Sequence, residues 1–324
     1  MQSWGMLGRE LGLAMDTPVV FFIFRRPKQT TQVFEKIRNA RPSTLFLVAD
    51  GPRTNSPEEA QLTLETRRIV ENIDWPCEVH RIYSNVNLGL RERILTGLDE
   101  VFSVVDRAII LEDDCLPSES FFSFCSELLE FYFDNEQVGV VSGFNFGPYK
   151  SDSSDYYFSR SPNIWGWGTW ARTWKAFRLA PQVESWSKEE MHELRSTFSS
   201  GFQRSEFFWF MKIASTLNTW DVSFSVWIRK AGLVSAIPRV NLVSNIGFGS
   251  GATHTKFEAF DVQIPSQNFS RAIRRLPFVS VDANLERSIW LKRRLRWLTF
   301  PLSHPIDFAK RILSFLTQKD SDKN

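Results

Sequence analysis

The sequence predicts an α/β protein whose mainly parallel sheet is flanked by helices, a Rossmann-like arrangement. Two observations carry this. From Thr17 onward, short apolar runs alternate with amphipathic stretches of helical period four times in succession, and that alternation implies βαβ units. The first two runs are also almost wholly apolar, which is the pattern of strands covered on both faces.

Each element has a local signal. Pro18 to Phe24 is a continuous apolar run stopped by Arg25-Arg26-Pro27 and reads as the first strand. Residues 28–40 place Val33, Phe34, Ile37 and Ala40 on one helical face. Thr44 to Ala49 is the second strand, closed by the turn signal Asp50-Gly51-Pro52. A helix is expected over about 58–72, a third strand over 78–83, a helix over 90–105 and a fourth strand over 107–112. Val138 to Ser142 is another strand, helices fill about 187–232, and residues 233–238 return to strand. A domain is expected over 17–262, in halves 17–115 and 116–262, between an extension (1–16) and a basic tail (263–324).

Composition narrows the classes of function. The 324 residues are 43% hydrophobic and 23% charged, which fits a folded protein and excludes wholesale disorder. A net charge of +2 argues against a dedicated nucleic-acid binder. The 29 Phe and 12 Trp suit a large core and also sugar or membrane-interface contacts. Cys77, Cys115 and Cys125 show no paired spacing, so a reducing, cytoplasmic compartment is expected. No apolar stretch reaches spanning length, and residues 1–16 do not read as a secretory signal.

The strand ends carry the polar chemistry: Arg25 and Arg26, Asp50, then Asp113 and Asp114. In parallel sheets the ligand crevice lies beyond those ends. The sharpest feature is the strand running into Glu112-Asp113-Asp114. Adjacent like charges need a cation or hydrogen bonds to offset their repulsion. A divalent metal, Mn2+ or Mg2+, bridging diphosphate oxygens is the natural partner, with Asp114 on the metal and Asp113 nearer the ribose or sugar. Arg91 and Arg93 open a helix just after Gly89, where an anion explains them better than the helix dipole does. A surface charge mixture with Glu92 is the alternative. Gly247, Gly249 and Gly251 let a loop close over a ligand, with Ser250 and His254 offering phosphate or metal contacts. Trp165 and Trp167 fit sugar stacking or core packing.

These motifs resemble the nucleotide-diphospho-sugar transferases of the GT-A fold, of the N-acetylglucosaminyltransferase I type and its bacterial relatives, over roughly Thr17 to Thr255. The resemblance implies that Arg26 contacts the donor and that Asp50 reads uracil, although Asp50 also suits a simple turn. It implies that Glu112-Asp113-Asp114 is the metal motif. Gly166-Trp167-Gly168 and Trp220-Asp221 match two further family elements more loosely, and Val222 stands where the family carries a second acid. The halves then become a nucleotide-binding half and an acceptor half.

The resemblance also implies an inverting, metal-dependent transfer from a UDP-sugar to a glycan or lipid-linked hydroxyl acceptor, in bacterial surface polysaccharide or glycan synthesis. Asp221 is the expected general base and Glu206 the runner-up; as an N-cap, Asp221 also has a purely structural reading. The rivals are a sugar-nucleotide nucleotidyltransferase and a non-catalytic carbohydrate- or membrane-binding protein. The tail carries Leu291, Leu295 and Leu298 among Lys292, Arg293, Arg294 and Arg296, with Trp290 and Trp297. It reads either as an anionic-membrane surface or as a docking helix.

Overall fold

A computed structural model describes residues 15–146, 154–181, 185–198, 200–214, 220–247 and 264–303. Through the first third, β1 (Val19–Ile23), α1 (Pro27–Ala40), β2 (Thr44–Ala49), α2 (Pro57–Val70), β3 (Glu78–Tyr83), α3 (Leu90–Val104) and β4 (Arg107–Glu112) alternate as the apolar runs predict. Next come β5 (Cys115–Pro117), α4 (Glu119–Phe131), β6 (Val138–Ser142), β7 (Tyr156–Ser159), β8 (Trp167–Trp170), α5 (Ala171–Leu179), α6 (Lys188–Ser196) and α7 (Gly201–Ala214). The chain then forms α8 (Asp221–Lys230), β9 (Val234–Pro238), β10 (Val243–Asn245) and α9 (Ala283–Ser303).

Eight strands make one sheet in the order β3-β2-β1-β4-β8-β6-β9-β7. The first four pair in parallel. Strand order reverses at β1, with β2 and β3 on one side and β4 on the other, which opens a crevice between the carboxyl ends of β1 and β4. The fold class is therefore α/β with a Rossmann-like first half.

Sequence-adjacent residues on the strands divide between two cores. Val19, Phe21, Leu45, Leu47, Ile109 and Leu111 face α1, α2 and α4, where Phe34, Val70 and Phe124 meet them. Val20, Phe22, Phe46, Val48 and Ile110 face α3, α5 and α8, where Leu98, Trp174 and Phe224 meet them. The result is a helix–sheet–helix sandwich with one carboxyl edge. Its hydrophobic surfaces are large, and burying them is the main stabilising term.

The Trp-rich segment resolves differently from either sequence reading alone. It forms β8, which runs antiparallel between β4 and β6, and then α5. Trp167 is 1% exposed and packs on Trp220 and Phe224. An acceptor-facing role for Trp167 is thereby removed, because its ring is spent on the core. Trp165 is half-buried against Phe144.

Residues 264–282, expected in the tail, pack on the domain instead. Phe269 stacks on Phe124, Leu276 exchanges hydrogen bonds with the Tyr132 and Tyr156 hydroxyls, and Val281 bridges to Phe158. The first turn of α9 is pinned by Glu286, which accepts from Ser159 Oγ and the Arg160 N–H at 2.8 and 2.7 Å. Trp290 and Arg294 both donate to Glu206, while Leu291 and Leu295 remain exposed. No described helix is long and apolar enough to cross a membrane.

Candidate active site

The crevice at the strand-order reversal is lined by the residues that end β1 and β4. Only Phe24, Arg25 and Arg26 separate β1 from α1, and Pro27 at the helix start fixes the chain direction. Arg26 therefore reaches directly across to the β4 end. Its Nη1 donates to Asp113 Oδ1 at 3.0 Å and to Asp114 Oδ2 at 2.6 Å. The Phe24 N–H adds a bond to Asp113 Oδ2 at 3.2 Å. Burial opposes the charge on Arg26, but Asp113 and Asp114 more than offset it and hold the guanidinium above its ordinary pKa.

Asp113 and Asp114 occupy the turn between β4 and β5. β10 lies over this turn: Ile246 N–H donates to the Asp114 carbonyl at 2.8 Å. A Cβ on Gly247 would fall onto the Asp114 carboxylate, so only glycine lets the loop approach this closely.

Glu112 points to the α8 face, and Asp221 stands in the first turn of α8. Burial first, then the charges of Asp114, Asp113 and Asp221, push the Glu112 carboxyl up to about 8, against the pull of Arg26. Asp113 is likewise raised, by burial and by Asp114. Asp221 is the first helical residue and makes no capping bond; Trp220 holds the N-cap position instead. The capping role that the sequence allowed for Asp221 is thus not used. Its Oδ1 is buried with no hydrogen-bond partner among the described residues.

Asp113 and Asp114 thus share one guanidinium, with Glu112 beside them and Asp221 near Glu112, and this tests whether a divalent cation suits the site. Among the described residues, no three His, Cys, Asp or Glu side chains gather to hold a metal. The protein's own offer is the Asp113–Asp114 pair. Two carboxylates are a normal complement for an ion whose other ligands are phosphate and water, and the surplus negative charge favours a cation. The donor set fits.

Asp50 differs from expectation. It is 6% exposed, and its carboxylate accepts four bonds: from the N–H groups of Gly51, Leu88 and Gly89 at 2.9, 2.9 and 3.0 Å, and from Asn87 Nδ2 at 3.1 Å. A carboxylate offers about four acceptor sites, so none is left for a uracil N–H. Asp50 clamps the 86–89 loop, and Gly51 permits it, because a Cβ there would lie 2.6 Å from the Val86 backbone.

Other expected residues divide. Arg93 turns inward, is buried and reaches Glu100 at 3.7 Å, so it is not an open diphosphate contact. Arg91 lines a cavity between α3, α5 and α8. Glu206 is held by Trp290 and Arg294, so the runner-up base is occupied in fastening α9. Ser250 and His254 lie outside the described residues. Sequence reasoning missed Glu59, which is 3% exposed. It binds Arg25 and Arg53, with the Arg53 N–H and Nη1 donating at 2.7 and 2.6 Å. Both arginines also lie near the Phe24 ring. Its signal was spacing: Glu59, Thr63, Thr66 and Val70 form the buried stripe of α2, and an acid on such a stripe needs a partner.

No protein-family model and no curated protein matches the chain. Among solved structures, the chain is similar to a UDP-glucose pyrophosphorylase complexed with UDP-glucose, at 10% identity and TM-score 0.34, covering 69% of this chain and 91% of that one. An apo UDP-glucose pyrophosphorylase gives 11% identity and TM-score 0.34, covering 71% and 93%. At such distance the reading of the site rests on the chain's own residues.

Proposed function

We propose that the protein is a glycosyltransferase that moves a sugar from a nucleoside diphosphate, in the simplest case UDP, to a hydroxyl acceptor with inversion. The observation that carries this reading is the nearness of Asp221, from the second half of the chain, to Glu112, whose neighbours Asp113 and Asp114 bind Arg26 at the same sheet edge. Inverting transfer needs a carboxylate facing the acceptor hydroxyl and positive charge around the departing diphosphate.

Asp221 would take the proton of the acceptor hydroxyl as the acceptor oxygen bonds to the anomeric carbon and the bond from that carbon to the diphosphate breaks. Its buried Oδ1 without a partner among the described residues supports this, since an acceptor oxygen is the kind of group that would satisfy it. Arg26 would exchange Asp113 and Asp114 for diphosphate oxygens, which match the guanidinium fork equally well. Asp113 and Asp114 would hold Mn2+ or Mg2+, which when bound neutralises charge on the diphosphate. Glycan or lipid-linked acceptors both fit this chemistry. The exposed Leu291 and Leu295 beside Lys292 suit attachment to an anionic membrane, consistent with a cytoplasmic peripheral enzyme.

The nucleotidyltransferase reading is disfavoured by the β1–α1 connection. That link is three residues without a glycine and leads into Pro27, so it offers no backbone cradle for a triphosphate.

Calorimetric titration with UDP, with Mn2+ and with chelator, is the first test, followed by product analysis on a UDP-sugar panel. We expect Mn2+-dependent binding, and UDP as the released product. With Asp221→Asn, UDP affinity should persist while turnover falls by roughly two to four orders of magnitude. Failure to bind UDP under either condition, or exchange of labelled pyrophosphate into UTP, overturns the assignment.

A further inference from the structure

A second feature at the same edge is not used by Arg26, Asp113, Asp114 or Asp221. A cavity of about 50 Å³ lies between α3, α5 and α8, room for a few waters or for part of one ring. Its position is set by Trp220, which precedes Asp221, and by Ser223 in the same first turn of α8. Arg91, in the first turn of α3, closes the other side just beyond the loop clamped by Asp50.

The lining is aromatic and rich in unused donors. Phe177, Trp186, Trp220 and Trp227 contribute rings. The Trp186 N–H is spent on the Pro181 carbonyl, as are those of Trp75 on Pro42, Trp170 on Leu129 and Trp174 on Asp99 elsewhere. Those of Trp220 and Trp227, like the Ser223 hydroxyl, have no partner among the described residues. Donors left open beside flat apolar faces suit a ring whose substituents are oxygen acceptors.

Charge narrows the ligand further. Arg178 also lines the cavity, but Asp99 neutralises it at 3.0 and 3.1 Å. Among the described residues Arg91 reaches only its neighbour Glu92, at 3.5 Å, too long for a strong bond. One guanidinium beside the cavity therefore has charge to spare.

We infer that this cavity is the acceptor subsite, and that the acceptor's terminal unit is a pyranose bearing a carboxylate or phosphate, with one edge of its ring in the cavity beside the partly exposed Phe177 and Trp227 and its anionic group on Arg91. The inference rests on the transferase reading, since that reading requires an acceptor beside Asp221. It moves Arg91 from the donor diphosphate to the acceptor.

The test is calorimetry on the full chain with methyl β-glucuronide, glucose 6-phosphate and methyl β-glucoside, with and without UDP. At least one anionic probe should bind ten-fold or more tightly than the neutral glycoside. Arg91→Gln should reduce that probe to the neutral level while UDP affinity stays within two-fold of wild type. Agreement between the two anionic probes marks charge as the determinant, and preference for one identifies the carboxylate or the phosphate. Equal binding of charged and neutral probes, binding of none, or loss of UDP affinity in Arg91→Gln overturns the inference. If wild type binds an anionic glycoside through Arg91 but no UDP, the donor reading fails, the acceptor role is overturned with it, and the cavity stands as an anionic-sugar site.

Discussion

Replacing Asp50 with asparagine separates two roles that the sequence leaves open, a reader of the donor base and a clamp on the 86–89 loop. The carboxylate accepts from Gly51 and Leu88 on Oδ1, and from Asn87 and Gly89 on Oδ2. In Asp50→Asn one oxygen keeps its two donors, while the new NH2 group faces two others and can accept from neither. Hydrogen bonds to a charged acceptor contribute roughly 1.5–3 kcal/mol each. Two are lost, and the partly exposed Asn87 side chain recovers some of that by turning to water. The net loss is then roughly 3 kcal/mol, which lowers the melting temperature by about 6–12 °C for a domain of this size. Asn87→Ala removes one bond from the same carboxylate and one from the Gly51 carbonyl and should cost roughly half as much. Thermal melts monitored by circular dichroism, paired with UDP titration, give the answer. A well-folded Asp50→Asn protein that melts within about 1 °C of wild type, yet binds UDP ten-fold more weakly, would refute the clamp and restore the base reader.

The same contacts set three other outcomes. Gly247→Ala pushes a methyl group onto Asp114 and should cost roughly 1–3 kcal/mol and weaken UDP binding in Mn2+; wild-type melting and affinity would show that β10 does not press on that carboxylate. Glu59→Gln removes the shared charge between Arg25 and Arg53 and should cost roughly 1–3 kcal/mol in urea unfolding, whereas an unchanged midpoint would mean that the two arginines are held by Phe24 and solvent alone. Burial and the adjacent acids hold Glu112 at about 8, above its ordinary 4.5, so the folded state keeps a proton that the unfolded chain releases; unliganded stability should fall as pH rises between those values, and Glu112→Gln should abolish the part of the slope above about 6, where Asp113 has already titrated, whereas survival of that part would assign it to another group.

The frame was legible because its signals are local. Residues 44–49, 78–83, 107–112 and 138–142 are strands with the predicted bounds, since each apolar run is closed by turn residues or charge. β8 escaped because Trp167-Gly-Thr-Trp170 has no apolar alternation, and its strand character comes from pairing with Ala108–Ile110 and Val140–Ser142. β5 and β10 are three residues each and pair across more than a hundred positions, a contact that no window of sequence contains. The site was legible by half. Arg26, Asp113 and Asp114 meet because adjacent parallel strands end together. The Asp50 clamp depends on donors 37 to 39 positions downstream. The closeness of Asp221 to Glu112 depends on α8 packing against the far half of the sheet; the family resemblance singled out Asp221 as a base candidate but said nothing of that closeness.

The distribution of charge explains why this edge rather than another carries the chemistry. Away from it, buried and half-buried acids have their own cations: Glu59 has Arg25 and Arg53, Asp99 has Arg178, Asp155 has Arg271, and Glu206 has Arg294. Such pairs cost little to keep because each charge is answered where it stands. At the carboxyl edge Asp113 and Asp114 share Arg26, while Glu112 and Asp221 have no ion pair among the described residues. The fold tolerates this because Glu112 retains its proton and the Phe24 N–H supports Asp113. A packed core could have used four apolar residues here at lower cost, as β1 and β2 do. Unanswered negative charge beside a single guanidinium is instead a store of binding free energy. On the proposed reading an incoming cation would relieve the repulsion among the acids and free Arg26 for an anion, so cation and diphosphate would each improve the site for the other. That reciprocity requires both acids and arginine to be in place before any ligand arrives, which is the arrangement that the reversal of strand order at β1 creates.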